Sequence, residues 1–448
     1  MNAFDWNLFP KAESFLQTKL DKFLNMNNSA TILVNEIKQK TSTRLFDWVD
    51  HLAVPSDEVE AEDLFKLGFH ESKTTDGSIS FRVEGSILFP LLIKNSKVPE
   101  LAFTVEDIDN FRKTYAKGKT IQGAPNTGFR KLEAISESNF VFSVIERRGF
   151  SGYSVEDSND IDSYGEASKI LGSRKRSFST SEEGILETEK LLMTLESKLT
   201  KERLADAFFR AERRYWESRN NAATVQKNRQ DEVGVGWGNV DHFTFRSSRQ
   251  NFAGLIRIFE LLGLNPRERF HAGAQAGWGA QILEDADGRN VVFADVDLSG
   301  EEKEADFAHQ GLEPRDKVGT VGLWVGLHGE SILEAGMHHL AARFRFDDVR
   351  EDLKGLRVGM MKPFSNFPFL KQAFTEPEKW RVENDKLNLL LKRHQLSEEQ
   401  ASAFVRDGAV ASHLENIQRG QGFKGFNQTS VSAIIKWTNP LTQQERYA

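Results

Sequence analysis

Cysteine is absent from the 448-residue chain, which excludes disulfides, thiolate metal sites and a cysteine nucleophile. Any metal must then be held by His, Asp or Glu. The lack of thiols also fits a reducing compartment. There is no excess of positive charge: the formal net charge is −7 and the isoelectric point about 5.9, so nothing draws the whole chain to nucleic acid or to an anionic membrane. Long apolar runs are missing too. The longest, around "ILFPLLI" at residues 87–93, is far below the roughly 20 residues needed to cross a bilayer. The acidic, polar N-terminus lacks the charged-then-apolar layout of a signal peptide, and the expectation is a cytoplasmic protein. What is present, 39% apolar and 28% charged residues, is a globular mixture with material for two or three domains.

Along the chain, residues 1–45 read as helical, with Phe15, Leu20, Phe23 and Leu24 at helical spacing and a break at "NMNNSA". From Trp48 short β-like runs follow, among them "WVDHLAV", "SISFRVEG", "PELAFTV" and "FVFSVIERRGF", with helical stretches between them. Residues 154–183, which include "SRKRSFSTSEEG", read as a mobile connection, with a phosphorylation or nucleic-acid patch as the alternative. One amphipathic helix is expected over 184–218, bracing two halves. Beyond Gly236 the β-like texture returns in the same order. "WVDHLAVPSDEVEAEDLFKLGF" matches "NVDHFTFRSSRQNFAGLIRIFELLGL", "ELAFTVEDIDNF" matches "HHLAARFRFDDVREDL", and "VIERRGFSGY" matches "NIQRGQGFKGF". Three matched pairs in one order predict an internal duplication, with strand-helix-strand units curled around a cavity in each half.

On a strand, His242, Thr244 and Arg246 of "VDHFTFR" share one face, and Asp241, Phe243 and Phe245 the other. An arginine on a buried face needs a partner, and a polar cavity supplies the setting for both residues. In "GMHHLAARF" either His338 or His339 faces the same side, and comparison with the V-D-H segment favours His339. Glu415 in "ASHLENIQRG" lies on a strand entering a glycine-rich turn, with His413 on its face. Two imidazoles and a carboxylate from three strands form the ligand set of Fe(II) with open positions. The first half keeps His51, has Glu100 where the second has His339, and has Glu146 near the Glu415 position. This reads as a degenerate copy, with a second metal site of those three residues as the alternative. His70, His271, His309, His328 and His394 have no such pairing and read as structural.

These segments resemble the vicinal oxygen chelate superfamily. "VDHFTFR", with "FELLGLNPRERF" and "NVVFADVDLS", is similar to the 2-oxoadipate dioxygenase/decarboxylase family, which implies His242 as a metal ligand and Arg246 as the holder of a substrate carboxylate. "HHLAARFRFDDV" and "LENIQRGQGFKGFN" resemble 4-hydroxyphenylpyruvate dioxygenases, which implies His339 and Glu415 as the other ligands. "PELAFTVEDID" resembles the metal-free half of those enzymes. Two features depart from them. "EEQASAFVRDGAVASHLENIQR" passes almost directly from a helix into the glutamate strand, where that family has a hairpin strand, and "SVSAIIKWTNP" reads as a strand rather than a closing helix.

The resemblance implies an α+β fold of tandem βαβββ modules whose curved mixed sheets enclose cavities, with added helices. It divides the chain into a metal-free module with its leading helix (1–153), a mobile loop and bracing helix (154–236) and a metal-binding catalytic module (237–448). The implied activity is oxidative decarboxylation of a 2-oxo acid by Fe(II) and dioxygen, without nucleic acid or membrane and with a homo-oligomer allowed. Arg246 is the residue of catalysis and substrate binding, and Gln372, Asn366 and Arg419 are further candidates for contacts around the site. "KPFSNFPFLKQAF" at 362–374 offers aromatic walls. The alternatives are a 4-hydroxyphenylpyruvate dioxygenase-like enzyme, a lyase, isomerase or hydrolase using Zn, Mn or Ni, and a cavity protein without turnover.

Overall fold

The computed structural model describes residues 6–74, 77–94, 96–155, 160–273, 276–427, 434 and 438–441. Two helices, α1 (Pro10–Asn25) and α2 (Asn28–Thr41), lead the chain. The Asn27 side chain caps α2 by accepting from Ala30 N–H at 2.7 Å, which explains the break at "NMNNSA". There follow β1 (Val49–Pro55), α3 (Ala61–Lys66), β2 (Phe69–Lys73), β3 (Ile79–Val83), β4 (Leu91–Lys94), β5 (Glu100–Thr104), α4 (Ile108–Tyr115), β6 (Phe129–Glu137) and β7 (Phe140–Arg147). They form one mixed sheet in the order β2-β3-β4-β1-β5-β7-β6.

Helices α5 (Ile161–Gly172), α6 (Ser181–Glu196), α7 (Lys201–Glu217) and α8 (Asn221–Glu232) fill the middle of the chain. The expected connection over 154–183 is thus largely structured. Tyr164, Ala167 and Leu171 of α5 are buried in the core that α7 also enters. The basic stretch is spent on an internal ion pair: Arg174 and Arg176 reach the buried Glu212 of α7 at 3.0 and 2.7 Å. These two arginines are therefore not a free basic patch. The single brace expected over 184–218 is two helices, because Thr200 caps a new start by accepting from Arg203 N–H.

The second half repeats the first. It runs β8 (Val240–Arg246), α9 (Phe252–Leu261), β9 (Asn265–His271), β10 (Trp278–Glu284), β11 (Val291–Asp297), α10 (Phe307–Gln310), α11 (Thr320–His328), β12 (His339–Arg343), α12 (Phe346–Gly355), β13 (Ser365–Phe367) and β14 (Leu370–Phe374). After these come β15 (Lys379–Trp380), α13 (Asn384–Lys392), α14 (Glu398–Asp407), β16 (Ala409–Val410) and β17 (His413–Arg419). The sheet order β13-β14-β17-β12-β8-β11-β10-β9 is the first sheet's order with one extra edge strand. The three segment pairs matched in the sequence fall on β1/β8, β5/β12 and β7/β17. The fold is a tandem of βαβββ modules with curved mixed sheets, as the resemblance implies.

A hairpin does flank the glutamate strand, since β14 pairs antiparallel with β17 along Leu370–Phe374; the helices α13 and α14 were inserted after it and hid it in the sequence. In "SVSAIIKWTNP" the described Ile434 and Thr438 are helical, with the Thr438 hydroxyl donating to the Ile434 carbonyl at 2.9 Å, and the remainder lies outside the described residues apart from Asn439 and Pro440.

On the outer side of the second sheet, Phe243 and Phe245 of β8 enter the core with Phe209 of α7 and Phe259 of α9. Phe243 stacks on Phe209 at 4.8 Å and Phe245 meets Phe259 edge-on at 5.1 Å. That packing fixes which face of β8 is left for the cavity. Among the described residues no helix is long and apolar enough to cross a membrane.

Candidate metal centre

With its phenylalanines outward, β8 turns His242, Thr244 and Arg246 into a cavity of about 70 Å³, which His338, His339, Gln372 and Glu415 also line. The alternation read from "VDHFTFR" therefore places these three side chains together. Pairing supplies the convergence. β12 lies between β8 and β17, with Ala341 opposite both His242 and Glu415 and His339 opposite Thr244. The His242 and His339 Nε2 atoms lie 3.3 and 3.2 Å from one oxygen of Glu415. All three residues are buried.

A β-bulge aims His242. The β8–β12 pairing sets Ala341 against His242 and Ala342 against Val240, skipping Asp241. The Asp241 carboxylate thereby meets its neighbour's Nδ1 at 2.9 Å and takes a two-point ion pair from Arg419 at 2.8 and 2.9 Å. With Nδ1 held by a carboxylate, Nε2 is left for a ligand. Arg419 also donates to the Gly425 carbonyl at 2.6 Å, tying the glycine-aromatic turn to the strand. It lines the larger cleft between the sheets, behind the histidine rather than in the cavity.

Glu415 is aimed from its other side. Gln372 Nε2 donates to Oε1 at 2.8 Å, and Ser365 donates to Gln372 Oε1 at 2.8 Å, which leaves Oε2 to the histidines. Gln372 is thus in the cavity but already committed to the glutamate, while Asn366 is exposed. Thr244 Oγ1 lies 2.8 Å from His339 Nε2. Phe364 and Phe374, from the stretch expected to give aromatic walls, line the cavity with Phe293 and Phe426.

The electrostatics call for a cation. Burial alone would raise the Glu415 pKa, but the charges and hydrogen bonds of His242 and His339 hold it well below the carboxylate range. Burial would likewise lower His242, yet Glu415 and Asp241 overcome it and raise the ring to about 9. His339 is lowered by burial against the pull of Glu415. Without a metal, the buried carboxylate is thus balanced by a proton on His242. Two imidazoles and a carboxylate with ligand atoms within 4.8 Å of one another suit a divalent ion that would replace that proton.

Arg246 is the other charge in the cavity. Its Nε and Nη1 have no hydrogen-bond partner although they are fully buried. Its nearest carboxylate, Asp295, stands 3.7 Å off, and its guanidinium carbon is 5.5 Å from the Trp324 ring centre. Burial pulls the Arg246 pKa down to about 10 and pushes Asp295 up to about 7, each shift opposed by the other group.

The first sheet repeats the scaffold of this centre but keeps only one of its three ligand positions as such, with His51 in the place of His242. Asp50 sits in an equivalent bulge, meets His51 Nδ1 at 2.6 Å and is clamped by Arg147 at 2.5 and 2.7 Å. Strand pairing puts Ser143 opposite Ala102, the place that Glu415 takes opposite Ala341. Glu146, expected near that place, is on the other face, held by Arg130 at 3.0 Å and by Arg148. The alternative site of His51, Glu100 and Glu146 is therefore not assembled. Glu100 is occupied by Lys94 and Lys131 at 2.7 and 2.5 Å.

The sequence had marked His413 only as a neighbour on the face of Glu415. In the fold it adjoins the centre, with His338, His339 and His413 forming a second group whose ligand atoms lie within 4.8 Å. Thr244 and the Gln372–Ser365 relay carried no signal of their own, because their roles come from strand pairing.

No protein-family model matches the sequence, nor does any curated protein. Among solved structures the chain is similar to a putative hydrolase from Shewanella frigidimarina (16% identity, 50% of this chain and 98% of that one, TM-score 0.36). It is also similar to a triple mutant of 4-hydroxymandelate synthase from Streptomyces coelicolor (11%, 91% and 100%, 0.30) and to methylmalonyl-CoA epimerase from Mycobacterium tuberculosis (10%, 41% and 89%, 0.23). Likenesses of this order assign no reaction to the chain.

Proposed function

We propose that the cavity of the second sheet is the active site of a non-haem Fe(II) dioxygenase that oxidatively decarboxylates a 2-oxo acid, with His242, His339 and Glu415 as the metal ligands. The observation that carries this reading is one buried cavity holding both a two-histidine, one-carboxylate donor set and a guanidinium with two unpartnered donors. The donor set is that of non-haem Fe(II) oxygenases, and a buried guanidinium whose Nε and Nη1 make no hydrogen bond has donors to offer an anionic ligand beside its Asp295 countercharge. Ferrous iron at this triad would supply a chelating position for the keto acid and activation of dioxygen.

The chain's own residues do the remainder. Asp241, fixed by Arg419, holds His242 in the tautomer that presents Nε2. Gln372 fixes the rotation of Glu415. Arg246 receives a carboxylate of the substrate through its planar fork, and the surrounding phenylalanines keep water from the reacting atoms. In this reading residues 1–153 form a metal-free module, supported by Ser143 and the two lysines on Glu100. Residues 154–236 act as a brace, and 237–448 as the catalytic module.

The test is oxygen uptake and carbon dioxide release by protein purified anaerobically and loaded with Fe(II), against a panel of 2-oxo mono- and dicarboxylic acids. Stoichiometric uptake and release are expected with at least one substrate. Metal-dependent turnover of a panel member without oxygen uptake would replace the dioxygenase by a lyase or isomerase. Arg246→Ala should keep its metal content and lose at least tenfold in turnover, about 1.4 kcal/mol of transition-state stabilisation, with Arg246→Lys between the two. Undiminished Arg246→Ala activity would make the arginine structural.

A further inference from the structure

Beside the cavity, His339 belongs to a second group of donors whose other two members, His338 and His413, the proposed reaction does not use. His338 precedes β12, so it escapes the strand alternation and lies in the same cavity as His339. Its Nδ1 is 3.0 Å from the Ala411 carbonyl. A carbonyl only accepts, so the ring proton is on Nδ1 and the Nε2 lone pair is free, the arrangement of a histidine prepared for a metal. His413 packs against both neighbours, at 4.6 Å from the His338 ring and 4.9 Å from that of His339. It is fully buried, and neither of its ring nitrogens has a hydrogen-bond partner. His339 Nδ1 is unpartnered as well.

Leaving three such nitrogens unsatisfied costs on the order of 1–3 kcal/mol each. Among the described residues neither ring nitrogen of His413 meets a carboxylate or a hydroxyl; Phe374 covers the ring at 4.0 Å between ring centres. The arrangement is explained if the cluster has a ligand of its own.

We propose that His338, His339 and His413 form a second cation seat, selective for the late first-row divalent ions, copper(II) and zinc(II), and alternative to the His242–His339–Glu415 seat because both need His339. Two properties of the seat set its preference. It is built of imidazole alone, the donor that suits copper, nickel and zinc, whereas manganese and magnesium prefer carboxylate oxygen. It also carries no negative charge and lies near the Arg246 guanidinium, which disfavours a hard ion held mainly by electrostatics. Nitrogen ligands about 2.0–2.1 Å from a tetrahedral metal stand roughly 3.4 Å apart. The ligand atoms, which lie within 4.8 Å of one another, would therefore close by at most about 1.4 Å. On the proposed reading of the first seat as catalytic, on which this consequence rests, an ion here takes His339 from it and the seat is inhibitory.

The experiment uses the full chain, with copper(II) and manganese(II) as probes. Paramagnetic resonance of the one-to-one copper(II) complex should show three coordinated nitrogens, and copper(II) should displace manganese(II). Glu415→Gln should lower manganese(II) affinity at least tenfold and leave the three-nitrogen copper(II) signal. His413→Phe and His338→Gln should do the reverse, losing at least tenfold in copper(II) affinity and changing manganese(II) affinity less than threefold. A wild-type copper(II) spectrum with two nitrogens and an oxygen, abolished by Glu415→Gln, would overturn the proposal and leave the first seat standing. So would copper(II) affinity unchanged in both histidine variants. If neither variant folds, the wild-type and Glu415→Gln spectra decide.

Discussion

A side chain can serve the centre without touching a metal, and Asp241 is the clearest case. It faces only His242 and arginines, yet it fixes the ring's tautomer and basicity. Asp241→Asn is expected to weaken metal binding by about 10–100-fold, measured by competition with a fluorescent chelator, with little change in the far-ultraviolet circular dichroism. A second residue gives a pH dependence. Burial lowers His328 to about 3, against the pull of the Val410 carbonyl, to which its Nε2 donates at 2.8 Å. The unfolded ring binds a proton near pH 6.5 while the folded one does so only near 3. His328 therefore contributes stability that is complete above 6.5 and is lost as pH falls toward 3, at most about 5 kcal/mol. His338 and His413, also held neutral by burial, act in the same direction. Urea unfolding between pH 7 and 5 should show this loss, and His328→Phe should flatten it while lowering stability at pH 7. That His242, His339 and Glu415 meet was legible, because alternation and the H-H-L-A comparison depend only on local spacing. Glu146 stands three residues beyond Ser143, the counterpart of Glu415 by pairing with β5, and an odd displacement along a strand changes the face; only the register, which local spacing does not give, shows this.

Among the elements, the strands were the easier part to read, since apolar alternation survives in the sequence. Helix α5 was missed because "SYGEASKILG" has the Ser and Gly content of a loop. Its helicity comes from burying Tyr164, Ala167 and Leu171 against α7, a tertiary effect that propensity does not record. The basic run before α6 misled for a similar reason: its two arginines are committed to Glu212, far away in sequence and invisible until α7 packs. Arg174 and Arg176 also donate to the carbonyls of Ile332 and Leu333, so this cluster pins the central helices to the segment leading into β12. Glu212→Gln should cost about 3–5 kcal/mol, because it leaves two buried guanidinium groups without a countercharge. Thermal denaturation is the measurement, and an unchanged midpoint would mean that the arginines find other partners.

For the whole molecule, the duplication explains why the sequence disclosed the architecture: each half independently repeats one strand order and one carboxylate-histidine-arginine scaffold. The helical insertions of the second half, α10, α11, α13 and α14, have no counterpart in the first and could not be inferred from it. A divalent ion that binds only the folded His242–His339–Glu415 centre should stabilise the protein by about 2.7 kcal/mol at a free concentration one hundred times its dissociation constant. Denaturant titration with and without manganese(II) measures this, and Glu415→Gln should abolish the difference. The lysines on Glu100 give the effect a direction. In the first sheet the buried carboxylate is neutralised by ammonium groups that belong to the chain, so its charge balance is complete as soon as the protein is made. In the second sheet the balance is borrowed, from a proton or from an ion in the surroundings. If the proposed ion binds, its scarcity is felt by half the molecule only: hydrogen exchange should slow in β8, β12 and β17 when the ion is supplied, while β1, β5 and β7 keep the same pace.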